Sequence, residues 1–266
     1  MHPAFWFAFG LCALAGLSTG VGSLLGIFAK RTNTRFLSVA LGFSAGVMIY
    51  ISMVELLVDA QHRLVHVWGV RSGGWLAAGA FFGGMLLIAV IDRLVPHVIN
   101  PHEVHTANEM AADPARHKLL KTGLMTGLAV GIHNFPEGMA TLFSALNDPA
   151  LGVFIAVAVA VHNIPEGIAV SVPIYFATGN RKKAFGYSFL SGVAEPIGAL
   201  LGYLLLAPYL SETLFGLVFA GIAGVMVFIS LDELLPTARE YGEHHYAISG
   251  VVSGMAVMAV SMLLAR

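Results

Sequence analysis

The sequence carries HNFPEG at 133–138 and, 29 residues later, HNIPEG at 162–167. Each copy sets a histidine, an asparagine and a glutamate into otherwise apolar sequence. Within a copy the His and Glu are four residues apart, so on a helix they share one face, one turn apart. The Asn stands about 100° round from the His. Imidazole, carboxylate and amide oxygen, with no thiolate, suit zinc, iron(II), manganese, cobalt or cadmium better than copper(I). Magnesium and calcium prefer all-oxygen sites, so the histidines argue against them. A third acid, Glu195, sits in SGVAEP at 191–196.

The proline three places after each His cannot donate to the carbonyl four residues back, that of Ile132 or Val161. Each helix is therefore expected to bend at its polar cluster and leave a carbonyl available to a cation or water. The glycine after each glutamate is expected to add slack.

The elements that must hold these residues are apolar. Of 266 residues, 57% are hydrophobic and 11% charged, against roughly 25% charged in a soluble domain. The chain reads as an all-α, polytopic membrane protein forming a single transmembrane domain over residues 1–266. Its net charge of −1 and lack of a basic patch exclude a nucleic-acid partner. The single cysteine, Cys12, excludes a disulfide framework or thiolate cluster, and without a P-loop no ATP-driven engine is visible. Crossing roughly 30 Å of hydrocarbon takes about 20 residues. Eight stretches qualify: about 4–29, 36–59, 73–94, 119–145, 149–176, 184–207, 213–235 and 247–265. No basic residue precedes the first, so it reads as a retained span and not a signal peptide. Close-spaced glycines in several spans suit tight helix packing in lipid.

Lys and Arg set the orientation. Lys30, Arg31, Arg35, Arg93, Arg116, Lys118, Lys121, Arg181, Lys182, Lys183 and Arg239 fall in odd-numbered loops. Arg63, Arg71 and Arg266 fall on the other side. By the positive-inside rule the odd loops are cytoplasmic and both termini lie outside. The longest loop, about 95–118, holds His97, His102, His105 and His117 with Glu103, Glu109 and Asp113. Its composition predicts flexibility. It reads equally as a weak, exchangeable metal-binding tract or as an ordinary solvated loop.

Depth joins motif to span. His133 lies about 21 Å in from one side and His162 about 20 Å in from the other, at 1.5 Å per residue. Glu195 lies about 16 Å deep by the same measure. All three points converge near the midplane. Carboxylates there cost several kcal/mol each unless compensated, and no Lys or Arg stands at their depth. Protonation would neutralise them; divalent cations do so with His and Asn ligands to hand. Three carboxylates against two divalent ions come close to balance. The alternative is a pair of proline kinks whose polar groups satisfy one another.

Taken together, HNFPEGMAT, AVHNIPEGIAV, SGVAEP and SLDELLP on eight spans resemble the ZIP (ZRT/IRT-like) metal-ion transporters, in particular bacterial members, over essentially the whole chain. The resemblance implies an inverted repeat of spans 1–3 and 6–8 around spans 4–5, in the bacterial cytoplasmic (inner) membrane. It implies a binuclear mid-membrane site. One ion would be held by His133, Glu137, His162 and Glu166. The second would be held by Asn134, Asn163 and Glu195, with Glu137 and Glu166 shared. Zinc, and with it iron(II), would be the transported substrate, with no organic cofactor; a homodimer is one arrangement open to it. Inverted repeats with the substrate site at their interface recur among transporters.

The mechanism expected is alternating access, with the span 4–5 unit moving relative to the rest. Glu55 and Asp59, four apart near the outer end of span 2, would form a negative vestibule or be ordinary helix-end acids. Asp232 and Glu233, at the inner end of span 7 with His244 and His245 nearby, suggest an exit or interfacial acids. Trp6, Trp68, Trp75 and Tyr241 fit an interfacial belt, and Met48 and Met53 fit packing. A passive channel could use the same ligands. An intramembrane metalloenzyme is a weaker rival: HExxH is absent, and the spacing is His-x-x-x-Glu where a di-iron carboxylate site wants Glu-x-x-His.

Overall fold

Backbone amides cannot be left unpaired in hydrocarbon, so a chain this apolar must satisfy them within helices or a closed barrel. The computed structural model describes residues 4–28, 34–94, 114–241 and 244–265, and helix is the only regular structure among them. The helices are α1 (Phe5–Phe28), α2 (Thr34–Tyr50), α3 (Leu57–Leu94), α4 (Pro114–Asn147) and α5 (Pro149–Thr178). They continue with α6 (Arg181–Leu206), α7 (Glu212–Ile229), α8 (Leu235–Tyr241) and α9 (His244–Ala265). Among the described residues six runs are long and apolar enough to cross a membrane; one of them, Arg35–Ile91, is far longer than a single crossing needs.

Local chemistry places the boundaries. Asp148 caps α5, accepting from the amides of Ala150 and Leu151, with Pro149 in the first turn. Gly179 ends α5 at φ 65°, the left-handed conformation that favours glycine. Asn180 caps α6 and Ser211 caps α7.

Two expectations are corrected here. The stretch between 59 and 73, read as a connecting loop, stays helical, and the chain reverses at one residue, Gly69, with φ 78° and ψ 165°. Polar side chains hold this extension in place. Arg63 bonds Asp59 one turn back and Glu212 of α7, and the Trp68 indole donates to Thr213. At the other correction, residues 114–118, read as the end of the long loop, are the first turn of α4. The rest of that loop, with its proposed metal-binding tract, lies outside the described residues.

The helices sort into two groups by packing. α1, α4, α5 and α6 pack on one another, while α2 packs on α8 and α9, and α3 on α7. Between the groups run contacts of α2 with α5 and of α4 with α7. The largest apolar core, around Leu41, Met48 and Phe219, lies mainly in the second group. The exterior is apolar too: Trp6, Leu14, Trp75, Leu86, Leu190 and Leu205 stand more than half exposed. An apolar exterior around buried charge suits a lipid surround.

Candidate metal centre

The polar residues of both motifs sit near the middle of their helices, and Glu195 near the middle of α6. His133, Asn134, Glu137, His162, Asn163, Glu166 and Glu195 are all at most 1% exposed. The structure brings all seven together where α4, α5 and α6 meet.

The pairing is crossed. His133 Nε2 of α4 lies 3.0 Å from Glu166 Oε2 of α5, and His162 Nε2 of α5 lies 3.1 Å from Glu137 Oε1 of α4. Each helix supplies the imidazole for the other's carboxylate. Beside these pairs, Asn163 Nδ2 donates to Glu195 Oε2 at 3.0 Å and to the Ala15 carbonyl of α1 at 3.1 Å. Asn134 Nδ2 donates to the Ser191 carbonyl of α6 at 3.0 Å. The amide ends are anchored, and the amide oxygens of both asparagines have no partner within the protein.

Four further donor atoms share that condition: both His Nδ1 atoms, Glu137 Oε2 and Glu195 Oε1. Native interiors rarely leave buried polar atoms unmatched, and each one calls for an explanation. Of the eight such atoms on these three adjoining helices, two are the hydroxyls of Thr141 and Ser144, and the other six are nitrogen, amide and carboxylate atoms of cation-ligating type that point to a ligand. Among the described residues no three His, Cys, Asp or Glu side chains converge as a ready-made cage. The donors are held in pairs.

Sequence reasoning missed two contributors. Ser44 of α2 donates to Glu166 Oε1 at 3.0 Å, tying the second helix group to the site; a lone serine in GFSAGVM gives no signal for it. The second is a pair of π-helical turns. One, Ile51–Leu56, joins α2 to α3; the other, Ser230–Leu234, joins α7 to α8. They fall in SMVELLVDA at 52–60 and SLDELLPTA at 230–238, which share Ser, Glu, Leu, Leu and Ala in register. That self-similarity was available in the sequence. Single π turns inside helices are frequent at functional sites.

The motif glycines are not slack. A methyl on Gly138 would strike the Glu195 carbonyl of α6, and one on Gly167 the Thr19 carbonyl of α1. Each lets its neighbour helix approach to backbone contact, as small residues do in membrane bundles. Cys12 joins the same junction, its thiol directed at the carbonyls of Ala8 and Gly138. The proline helices run on through Pro136, Pro165 and Pro196.

The weaker acid candidates sit in or just after the π turns. Asp59 is held by Arg63 at 2.8 Å, so it is not a bare vestibule acid. Glu55, Asp232 and Glu233 are half-buried in the π turns. His244 and His245 are exposed at the start of α9. Trp6, Trp68 and Trp75 are exposed, Met48 is buried in the core, and Met53 is exposed.

This fold and site define a multi-pass helical membrane protein with a buried, self-paired His–Glu–Asn centre at the heart of its bundle. Residues 100–262 match the family described as ZIP Zinc transporter, and the chain belongs to that family. It is 60% identical to a zinc transporter ZupT of Streptococcus mutans, over 99% of both chains. It is also 60% identical to those of Lysinibacillus sphaericus and Nitratidesulfovibrio vulgaris, over 97% of this chain and 97% and 96% of theirs.

Proposed function

We propose that this ZIP transporter passes its cation through the crossed His–Glu pairs of α4 and α5 by alternating access. Family membership makes it a divalent-metal transporter and not an enzyme. Zinc is the cation named for its relatives, and the His, Glu and Asn donors suit zinc, with iron(II), manganese, cobalt and cadmium as competitors. One ion takes His133, Glu137, His162 and Glu166. A second takes Asn134, Asn163 and Glu195, sharing Glu137 and Glu166. The observation that carries this is the set of six unpartnered donor atoms around the two pairs.

In this reading eight spans cross the cytoplasmic (inner) membrane with both termini outside. The break at Gly69 supports counting the Arg35–Ile91 run as two of them. The matching π turns support an inverted relation of spans 1–3 to spans 6–8. The packing supports a moving unit larger than spans 4–5 alone: α1 and α6 travel with α4 and α5. Such a unit would slide against α2, α3 and α7–α9, breaking and remaking contacts such as Ser44 to Glu166. Glu55 serves the outer approach, with Asp59 tuned by Arg63; Asp232 and Glu233 serve the inner exit.

The test is radiometal uptake into proteoliposomes with competing ions. Saturation and trans-stimulation are expected of a carrier. Linear, unsaturated flux with no trans effect would instead make the same ligands the lining of a channel.

A further inference from the structure

We propose that one anionic phospholipid lodges an acyl chain in the groove between α3, α7, α4 and α6, its phosphate held at Lys121 and Lys183. The groove encloses about 990 Å³, at the upper end of ligand-pocket volumes. Only Tyr187 and Ser191 among its lining residues carry a polar side chain. From Leu124 to Met139 it follows α4 for about 22 Å at 1.5 Å per residue, more than half of the roughly 30 Å hydrocarbon layer.

Three of its glycines differ in use from the packing glycines at the site, whereas Gly84 presses on the Gly221 carbonyl and brings α3 against α7. Gly83 has nothing within 4 Å of an added methyl, and the nearest atoms to one on Gly131 or Gly221 lie 3.8 Å away. These three positions leave the surface hollow where a side chain would otherwise stand. Leu87, Leu128 and Leu190 face the hollow and stand 59%, 42% and 64% exposed. In a membrane, what covers such a surface is a lipid chain.

Charge selects the lipid and its direction. α4 and α6 run parallel, each antiparallel to α5 between them, so Lys121 and Lys183 lie on one side of the membrane. Lys121, half-buried and with a partner of its own in the protein, precedes the lining residue Leu124 by one turn, and Lys183 precedes Tyr187 by one turn, so helical register puts both at this end of the groove. Lys183 is exposed in the first turn of α6, where the helix end favours an anion. Arg93, in the last turn of α3, is exposed on the same side. At the far end the acid that opens α7, Glu212, is already paired with Arg63.

The groove has one wall from each helix group, and Pro136 of the first motif and Ser191, whose carbonyl holds Asn134, both line it. A chain seated there wedges the surface along which the groups would slide.

The test reads retained lipid and needs no transport, so it stands or falls separately from the proposed mechanism. Full-length protein in detergent is incubated with equimolar phosphatidylglycerol and phosphatidylcholine, then examined by native mass spectrometry. About one phosphatidylglycerol per chain is expected, favoured about tenfold or more, the scale two basic side chains give beside an anionic headgroup. Lys121→Gln with Lys183→Gln should bring the preference within about twofold, and Gly83→Phe should cut retention about tenfold. If Gly83→Phe fails to reach the membrane, Leu128→Trp is read in the same way. Equal retention of the two lipids, or retention unchanged by filling the groove, overturns the proposal. So does a groove-filling variant that turns a dimer into a monomer with its lipid intact, which would assign the groove to a second copy of the chain.

Discussion

His133 and Glu166 lie 3.0 Å apart although they stand on different helices, while the glutamate one turn above His133 in its own helix, Glu137, faces His162 of the neighbour. The two motifs therefore act as one object. Neither copy completes an imidazole–carboxylate pair alone, and on the proposed route a cation arriving between α4 and α5 would meet ligands from both at once.

Replacing either carboxylate should stop transport. Glu137→Ala or Glu166→Ala removes a proposed ligand and leaves the opposite imidazole without its partner. Loss of groups that merely support metal ligands typically costs 10–100-fold, so uptake should fall by at least about a hundredfold. Radiozinc flux normalised to the amount of protein in the membrane measures it. Wild-type flux from either variant would place the cation's route elsewhere.

Asn163→Asp should retain transport but alter the choice of metal. The change removes the donor that holds both Glu195 and the Ala15 carbonyl, and sets a second carboxyl against Glu195. An added oxygen charge favours harder ions such as manganese over zinc. Competition profiles for zinc against manganese, compared between variant and wild type, check this; identical profiles would argue against a second ion beside Asn163.

Two glycine-to-alanine changes should differ sharply in stability. At Gly138 the new methyl meets the Glu195 backbone, which cannot move aside as a flexible side chain would. Overpacking of this kind costs about 1–3 kcal/mol or more. At Gly83 there is open space, and the effect should stay within about 0.5 kcal/mol. Thermal unfolding of the purified proteins should show a clear drop in Tm for the first and almost none for the second. Equal values would mean that α4 and α6 do not approach as closely as the structure has them.

Arg63→Gln should tighten apparent cation affinity at low ionic strength. The guanidinium neutralises Asp59 and Glu212 together, at 2.8 and 2.6 Å, and lies over the rings of Phe215 and Phe219. Removing it leaves two acids uncompensated near the N-terminal ends of α3 and α7. A more negative surface raises the local cation concentration, and salt near 1 M, with a Debye length of about 3 Å, should erase the gain. KM for zinc at low and high salt is the measurement. A KM independent of the substitution at both would remove Asp59 from the approach route.

Much of this protein is written in local pattern. Length and hydrophobicity made it helical and membrane-spanning because hydrocarbon leaves backbone amides no other partner. The four-residue spacing put His and Glu on one face, and counting from the span ends set His133, His162 and Glu195 at one depth. What local pattern does not contain is the rotation of one helix against the next. That rotation pairs His133 with Glu166, brings Ser44 across from the other helix group, and presses Gly138 against the Glu195 carbonyl. The reversal at Gly69 was equally hidden, since the helix before it is held by contacts to Glu212 and Thr213, about 145 residues further along the chain. Helical period fixes which residues share a face; only close packing of whole helices decides what that face meets.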